Sequence, residues 1–183
     1  MYIMVQKSIF KPSIFKVFGV FVHDPLKIHY IKEIARKIKL APTSVKKHLT
    51  DLEKQGLIIK KKGEIFFGFV ANRDNNGFLF YKKIFNLINI KESKILDFLI
   101  NSYYPKTIIL YGSYFRGEDI KESDVGLIVL SKSKKRIDLS KFEVFLNRDI
   151  HLIVETNFKK LNKNLKNDVL NGLVLYGYLE NAE

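Results

Sequence analysis

Residues 110–130 read Leu-Tyr-Gly-Ser-Tyr-Phe-Arg-Gly-Glu-Asp-Ile-Lys-Glu-Ser-Asp-Val-Gly-Leu-Ile-Val-Leu. Two apolar runs, residues 108–111 and 125–130, have the length and composition of strands. Gly112-Ser113 ends the first run as a turn, and Ser123-Asp124 opens the second. Between them lies a polar connection that contains Arg116-Gly117. Its acids Glu118, Asp119 and Glu122 are read as solvated, since no strand fixes them. The order strand, turn, connection, strand sets the fold of the C-terminal half.

Gly112-Ser113, Arg116-Gly117 and Ser123-Asp124, at these offsets, resemble the signature of the minimal nucleotidyltransferases of the polymerase-beta-like superfamily. The resemblance implies two carboxylates two residues apart at the head of the second strand, with Mg²⁺ as cofactor and an NTP as ligand or substrate. Asp124 takes the first position, as metal ligand and catalytic residue, and Gly126 stands at the second. The chemistry explains the pattern. Side chains at i and i+2 of a strand share a face, and carboxylates so placed suit Mg²⁺. Such ions neutralise the charge that builds as pyrophosphate leaves. Gly112 and Ser113 are nucleotide-binding candidates because glycine lets backbone N–H groups approach a phosphate. Arg116 is the candidate partner of a phosphate oxygen.

Residues 149–155 read as a third strand after a helix near 139–147, and two helical segments follow at 157–161 and 164–171. Leu173-Val-Leu-Tyr-Gly177 is similar to the extended ending common in the same family. In the active enzymes a third carboxylate sits in the third strand. Here the register gives His151, which is read as structural. Asp149 shares that face about 6–7 Å earlier, at ~3.3 Å per residue, and is the second catalytic candidate.

The N-terminal half has a different rhythm. Ile31, Ile34, Ala35 and Ile38 fall at helical spacing, and Lys39-Leu40-Ala41 makes a turn. Pro42 suits a first helical position, Val45, Leu49 and Leu52 continue an apolar stripe, and Gly56 ends it. Leu57-Ile58-Ile59 and Ile65-Phe66-Phe67 flank Lys60-Lys61-Lys62-Gly63, a hairpin with a basic tip. With an upstream helix over residues 13–22, residues 13–70 resemble the winged helix-turn-helix domains of prokaryotic transcription regulators. The resemblance implies double-stranded DNA as partner. Thr43, Ser44, Lys46, Lys47 and Thr50 lie off the apolar stripe and are the DNA-binding candidates of a helix that fits the major groove. Lys60, Lys61 and Lys62 are the candidates for backbone or minor-groove contact.

The chain has 183 residues, which allows one large or two small domains; 46% of the residues are hydrophobic, enough for a real core, and the formal net charge is +13. Residues 1–77 hold 15 Lys and Arg against six Asp and Glu, whereas residues 78–183 hold 17 against 13. The excess in the first half suits a polyanionic partner. Cysteine is absent, which excludes a disulfide framework and a thiolate metal site. No stretch reads as a membrane span or a signal peptide, so the expected setting is cytoplasmic, without a membrane partner.

The polar segment at residues 72–77 suggests three parts: a winged helix-turn-helix over 1–77, a linking helix over 78–91, and a nucleotidyltransferase-like domain over 92–183. In the linking helix, Phe80, Ile84, Phe85, Leu87 and Ile88 form an apolar face for a homodimer or for packing on the C-terminal domain. A second helix is expected at 92–102. The expected fold class is α+β, a winged helix-turn-helix followed by a small mixed-sheet domain. The expected function is a DNA-binding regulator with a degenerate nucleotidyltransferase domain that binds a nucleotide or mediates assembly. An active transferase, moving NMP from an NTP to a protein, RNA or small-molecule acceptor, is the alternative. The family resemblance adds a toxin-like protein partner, and a purely structural dimer is the third reading.

Overall fold

The computed structural model describes residues 13–179, which fall into two units divided between Phe78 and Leu79. The first unit contains α1 (Ser13–His23), α2 (Ile31–Ile38), α3 (Pro42–Lys54), β1 (Ile58–Lys62) and β2 (Phe67–Ala71). Its core collects Val17, Phe18 and Phe21 from α1, Ile34 and Ala35 from α2, and Val45, Leu49 and Leu52 from α3. These are the apolar positions that helical spacing places on one side of each helix. The chain leaves α2 through Lys39, whose backbone is left-handed (φ 54°) and whose N–H bonds the Ala35 carbonyl. Pro42 then opens α3.

β1 and β2 pair antiparallel from Ile58↔Ala71 to Lys62↔Phe67. This corrects the expected hairpin. Lys60, Lys61 and Lys62 lie on the first strand, and the turn is made by residues 63–66. A two-stranded ribbon open to water tolerates lysines, so charge alone did not mark the tip. After β2, the side-chain amides of Asn72 and Asn75 both donate to the Gly56 carbonyl, at 2.8 and 3.1 Å. Asn75 Oδ1 accepts from the Gly77 N–H at 2.7 Å, which caps the next helix.

That helix, α4 (Asn76–Ser93), leads into the second unit, and α5 (Ile95–Tyr103) follows after Lys94 adopts a left-handed backbone. Then come β3 (Thr107–Tyr111), α6 (Gly112–Arg116), β4 (Val125–Leu130), α7 (Ser140–Leu146), β5 (Ile150–Glu155), a 3-10 turn (Phe158–Lys160), α8 (Lys163–Leu170) and β6 (Leu173–Gly177). The sheet order is β5-β4-β3-β6. β3 runs antiparallel to β4 and β6, while β4 and β5 are parallel. The fold is thus α+β with a mixed sheet, as expected.

β3 and β4 are buried along their whole length, which is why they read as unbroken apolar runs. Alternate residues feed two cores. Ile108, Leu110, Val125, Leu127 and Val129 pack with Ile90, Ile95, Leu99, Phe142 and Leu146. Ile109, Tyr111, Ile128 and Leu130 pack with Leu161 and Val169.

Two expectations about side chains are overturned. In the second unit α4 buries Lys82, Phe85, Asn86 and Ile90, whereas Phe80 and Ile84 remain 60% and 37% exposed. The apolar face inferred from composition packs only in part: Phe85 is buried and Leu87 packs on the core, whereas Phe80 and Ile84 do not. The reason is Asp119, read as solvated but fully buried. Its Oδ1 lies 3.1 Å from Lys82 Nζ and accepts from Asn86 Nδ2 at 2.9 Å, and its Oδ2 lies 3.3 Å from Arg148 Nη2. Lys82 also donates to the Asp119 backbone carbonyl, and Asn86 Nδ2 to that of Tyr114 at 2.8 Å. A buried carboxylate needs charge and hydrogen-bond partners. A polar stripe on α4 together with Arg148, far apart in sequence, provides them.

Candidate functional site

At the head of β4, the chain leaves β3 at Tyr111 and turns directly into the short helix α6, not into an open turn. Gly112 begins it with φ +81°, a left-handed backbone that favours glycine, and a Cβ there would meet nothing within 4 Å. The requirement is conformational, and the space above the residue is open to a ligand. Ser113 is half-buried, and its carbonyl accepts from the Glu118 N–H at 3.0 Å. Arg116 is exposed, and its Nε donates to Glu118 Oε2 at 2.7 Å. An exposed pair of this kind contributes little stability, so a phosphate can compete for the guanidinium. Ser123 closes the connection: its Oγ accepts from the Ile120 N–H at 2.9 Å.

Asp124 stands exposed at the mouth of β4. The register then places three residues side by side across the sheet: Tyr111 on β3, Gly126 on β4 and His151 on β5. Tyr111 lays its ring over Gly126. A Cβ added at residue 126 would lie 2.8–3.1 Å from three atoms of that ring, closer than real contacts permit. The Tyr111 hydroxyl reaches His151 Nδ1 at 3.2 Å, and the same nitrogen lies 3.7 Å from Asp124 Oδ2. Burial, then the Asp124 and Asp168 charges, push the Tyr111 phenol above its ordinary value, so it remains a neutral hydroxyl. The Tyr111 ring thus fills the space that a side chain at residue 126 would enter.

Asp149 is exposed one residue before β5, and its carbonyl accepts from the Val125 N–H at 2.8 Å. That bond brings its backbone to the head of β4, beside Asp124 in sequence register. Among the described residues, no three His, Cys, Asp or Glu side chains are grouped to hold a metal ion. Asp124 has the His151 imidazole 3.7 Å away, and Gly126, two residues on, offers no side-chain oxygen to an ion.

The other candidate surface belongs to the first unit. Thr43, Lys46, Lys47 and Thr50 are exposed on α3, and Ser44 is half-buried. Thr50 Oγ1 donates to the Lys46 carbonyl at 3.1 Å, which ties its hydroxyl to its own helix. Lys60, Lys61 and Lys62 are exposed on β1, with Lys60 Nζ 3.4 Å from Glu53 Oε2.

Comparison with known families agrees with this division. Residues 92–176 match the family described as nucleotidyltransferase domain. Residues 31–59 match the family described as winged helix-turn-helix DNA-binding. The chain therefore joins a winged helix-turn-helix DNA-binding domain to a nucleotidyltransferase domain. No curated protein and no solved structure matches it.

Sequence reading missed Tyr111. One signal was present: a glycine inside an otherwise apolar strand marks a close approach by another group. Nothing local named that group, because the partner comes from a neighbouring strand. It also misplaced Ile65 and Phe66, which lie in the turn and not on the strand with Phe67.

Proposed function

We propose that this protein is a DNA-binding transcription regulator whose nucleotidyltransferase domain binds a nucleotide without transferring it. The observation that carries the proposal is Gly126 beneath the Tyr111 ring, where the family resemblance calls for a second metal carboxylate. Two ions held in register stabilise the charge of phosphoryl transfer by several kcal/mol. The parts suited to phosphate remain: the open backbone at Gly112, Ser113, and the exposed Arg116. Mg²⁺ would be held through Asp124 together with the phosphates of the nucleotide. Thr43, Ser44, Lys46, Lys47 and Thr50 would face the major groove, with Lys60, Lys61 and Lys62 on the phosphate backbone. Phe80 and Ile84, exposed on α4, are the surface we assign to a homodimer.

A second reading, an active transferase, draws on Asp149. It is exposed at the same strand end as Asp124 and could serve as the other carboxylate. Calorimetric titration with ATP and Mg²⁺ distinguishes the two. Weak, saturable heat that needs Mg²⁺ and is lost in Arg116→Ala is expected. Continuous heat of turnover favours the transferase, and silence removes the nucleotide from the account.

A further inference from the structure

The first unit exposes something that a helix-turn-helix reading does not use. Its hairpin closes through a Gly63 N–H to Phe66 carbonyl bond of 2.9 Å; Ile65 and Phe66 in the turn and Phe67 at the start of β2 are 78%, 71% and 69% exposed. Single exposed apolar residues are ordinary, but three large ones in succession on a projecting tip are not. Their surroundings are basic. Lys60, Lys61 and Lys62 are exposed on the rising strand, and Lys62 stands directly opposite Phe67. Glu64 is the one acid in the loop and offsets part of that charge.

The base of the tip is also braced. His29 and Phe69 form a short bridge through two backbone hydrogen bonds of 2.8 and 2.9 Å, which adds a third strand segment to the ribbon. Tyr30 lies against the turn so closely that a Cβ at Gly63 would strike its hydroxyl. At Gly68 a Cβ would meet Ile28 Cγ2 at 2.5 Å. A braced arm places its tip with little ordering left to do on binding.

From these observations, and resting on the DNA-binding reading above, we propose that Ile65, Phe66 and Phe67 form a wedge that inserts between base steps of duplex DNA and kinks it. Apolar side chains that enter a groove in this way unstack a step, and the cost is recovered through added contacts to the bent duplex. Flexible pyrimidine–purine steps such as TA yield most readily. The lysines of β1 flank the wedge where phosphates would lie. A protein partner would explain the apolar tip but not the three lysines. An anionic membrane would explain both, yet the rest of the unit's exposed candidate surface, on α3, is polar and cationic and has no apolar face to immerse.

The test uses the full chain and a short TA-rich duplex. The duplex carries a fluorophore pair at its ends and 2-aminopurine at a central TA step. At saturating protein, end-to-end energy transfer and 2-aminopurine emission should both rise. Ile65→Ser with Phe66→Ser should abolish both rises while the salt dependence of binding is retained, because no phosphate contact has been removed. Lys46→Ala with Lys47→Ala should weaken binding yet leave the bend at saturation. A parent protein that binds while the duplex stays straight and stacked overturns the wedge and leaves the DNA-binding reading intact. Absence of binding at low salt overturns both. Binding to phosphatidylglycerol vesicles that the serine variant loses, with the duplex left straight, assigns the tip to a membrane and overturns the wedge.

Discussion

The two units bear their candidate chemistry in opposite ways. In the first, Thr43, Lys46, Lys47 and Lys60–62 project from the surface, and the core beneath them is indifferent to which polar residues they are. In the second, the candidate positions are fixed by strand register, so that Tyr111, Gly126 and His151 meet across three strands. A surface of the first kind loses function gradually as contacts are removed. A site of the second kind changes its chemistry when one strand position becomes glycine and a neighbouring ring settles into the space. The sheet can remain sound while the reaction is lost, which is the state we propose for this domain.

The largest expected effect falls inside the second unit. Asp119→Ala leaves Lys82 and Arg148 buried without their carboxylate, and removing one partner of a buried pair typically costs about 3–5 kcal/mol. Asp124→Ala, at an exposed carboxylate, should change stability by about 0.5 kcal/mol or less. Urea unfolding of both variants checks the contrast. Equal losses would mean that Asp119 is not the anchor its burial suggests.

A smaller effect belongs to the first unit. Lys46→Ala with Lys47→Ala should weaken binding to duplex DNA and lower the salt slope by about two, if both lysines release counterions. Anisotropy titrations at several salt concentrations read both quantities. A slope that does not change would place these lysines away from the phosphates.

The smallest effect is a pH dependence. His29 is buried, and its Nε2 lies 2.9 Å from the Asp24 carbonyl, while Nδ1 has no hydrogen-bond partner among the described residues. Burial holds its pKa below the ordinary value, against the opposing pull of that carbonyl and of the Glu33 and Asp24 charges. The unfolded chain therefore takes up the proton more readily. The contribution of His29 is complete above about pH 6.5 and is lost as pH falls towards the folded-state value. Thermal unfolding from neutral to mildly acidic pH should show the loss, and His29→Gln should reduce it. Equal acid sensitivity in the two proteins would exclude His29 as the cause.

Much of this was legible in the sequence, for reasons that differ between the units. The α2–turn–α3 stripe and the two apolar strands follow from periodicity, and Pro42 and Gly112 mark local backbone needs. Even the absent carboxylate could be read directly at Gly126. Long-range pairing could not be read: Asp119 finds Lys82, 37 residues earlier, and Tyr111 finds His151, 40 residues later. Composition made α4 apolar around Phe80 and Ile84, but the buried stripe was chosen by the charge it had to meet. The hairpin tip was misplaced because Lys60–62 and Ile65-Phe66 can each occupy either a strand or a turn.

The central claim is that the second unit binds a nucleotide and does not transfer it. Release of labelled pyrophosphate from NTP with Mg²⁺ tests this most directly, measured in the parent, in Asp124→Ala, and in Gly126→Asp with and without Tyr111→Ala. Gly126→Asp alone has to displace the ring and should cost about 1–3 kcal/mol of stability with no gain in release. The account predicts background release from the parent, equal to that of Asp124→Ala, with any gain confined to the double variant in which ring and glycine are both replaced. Robust release by the parent that disappears in Asp124→Ala would contradict it, and would show that Asp149 or His151 completes a working centre.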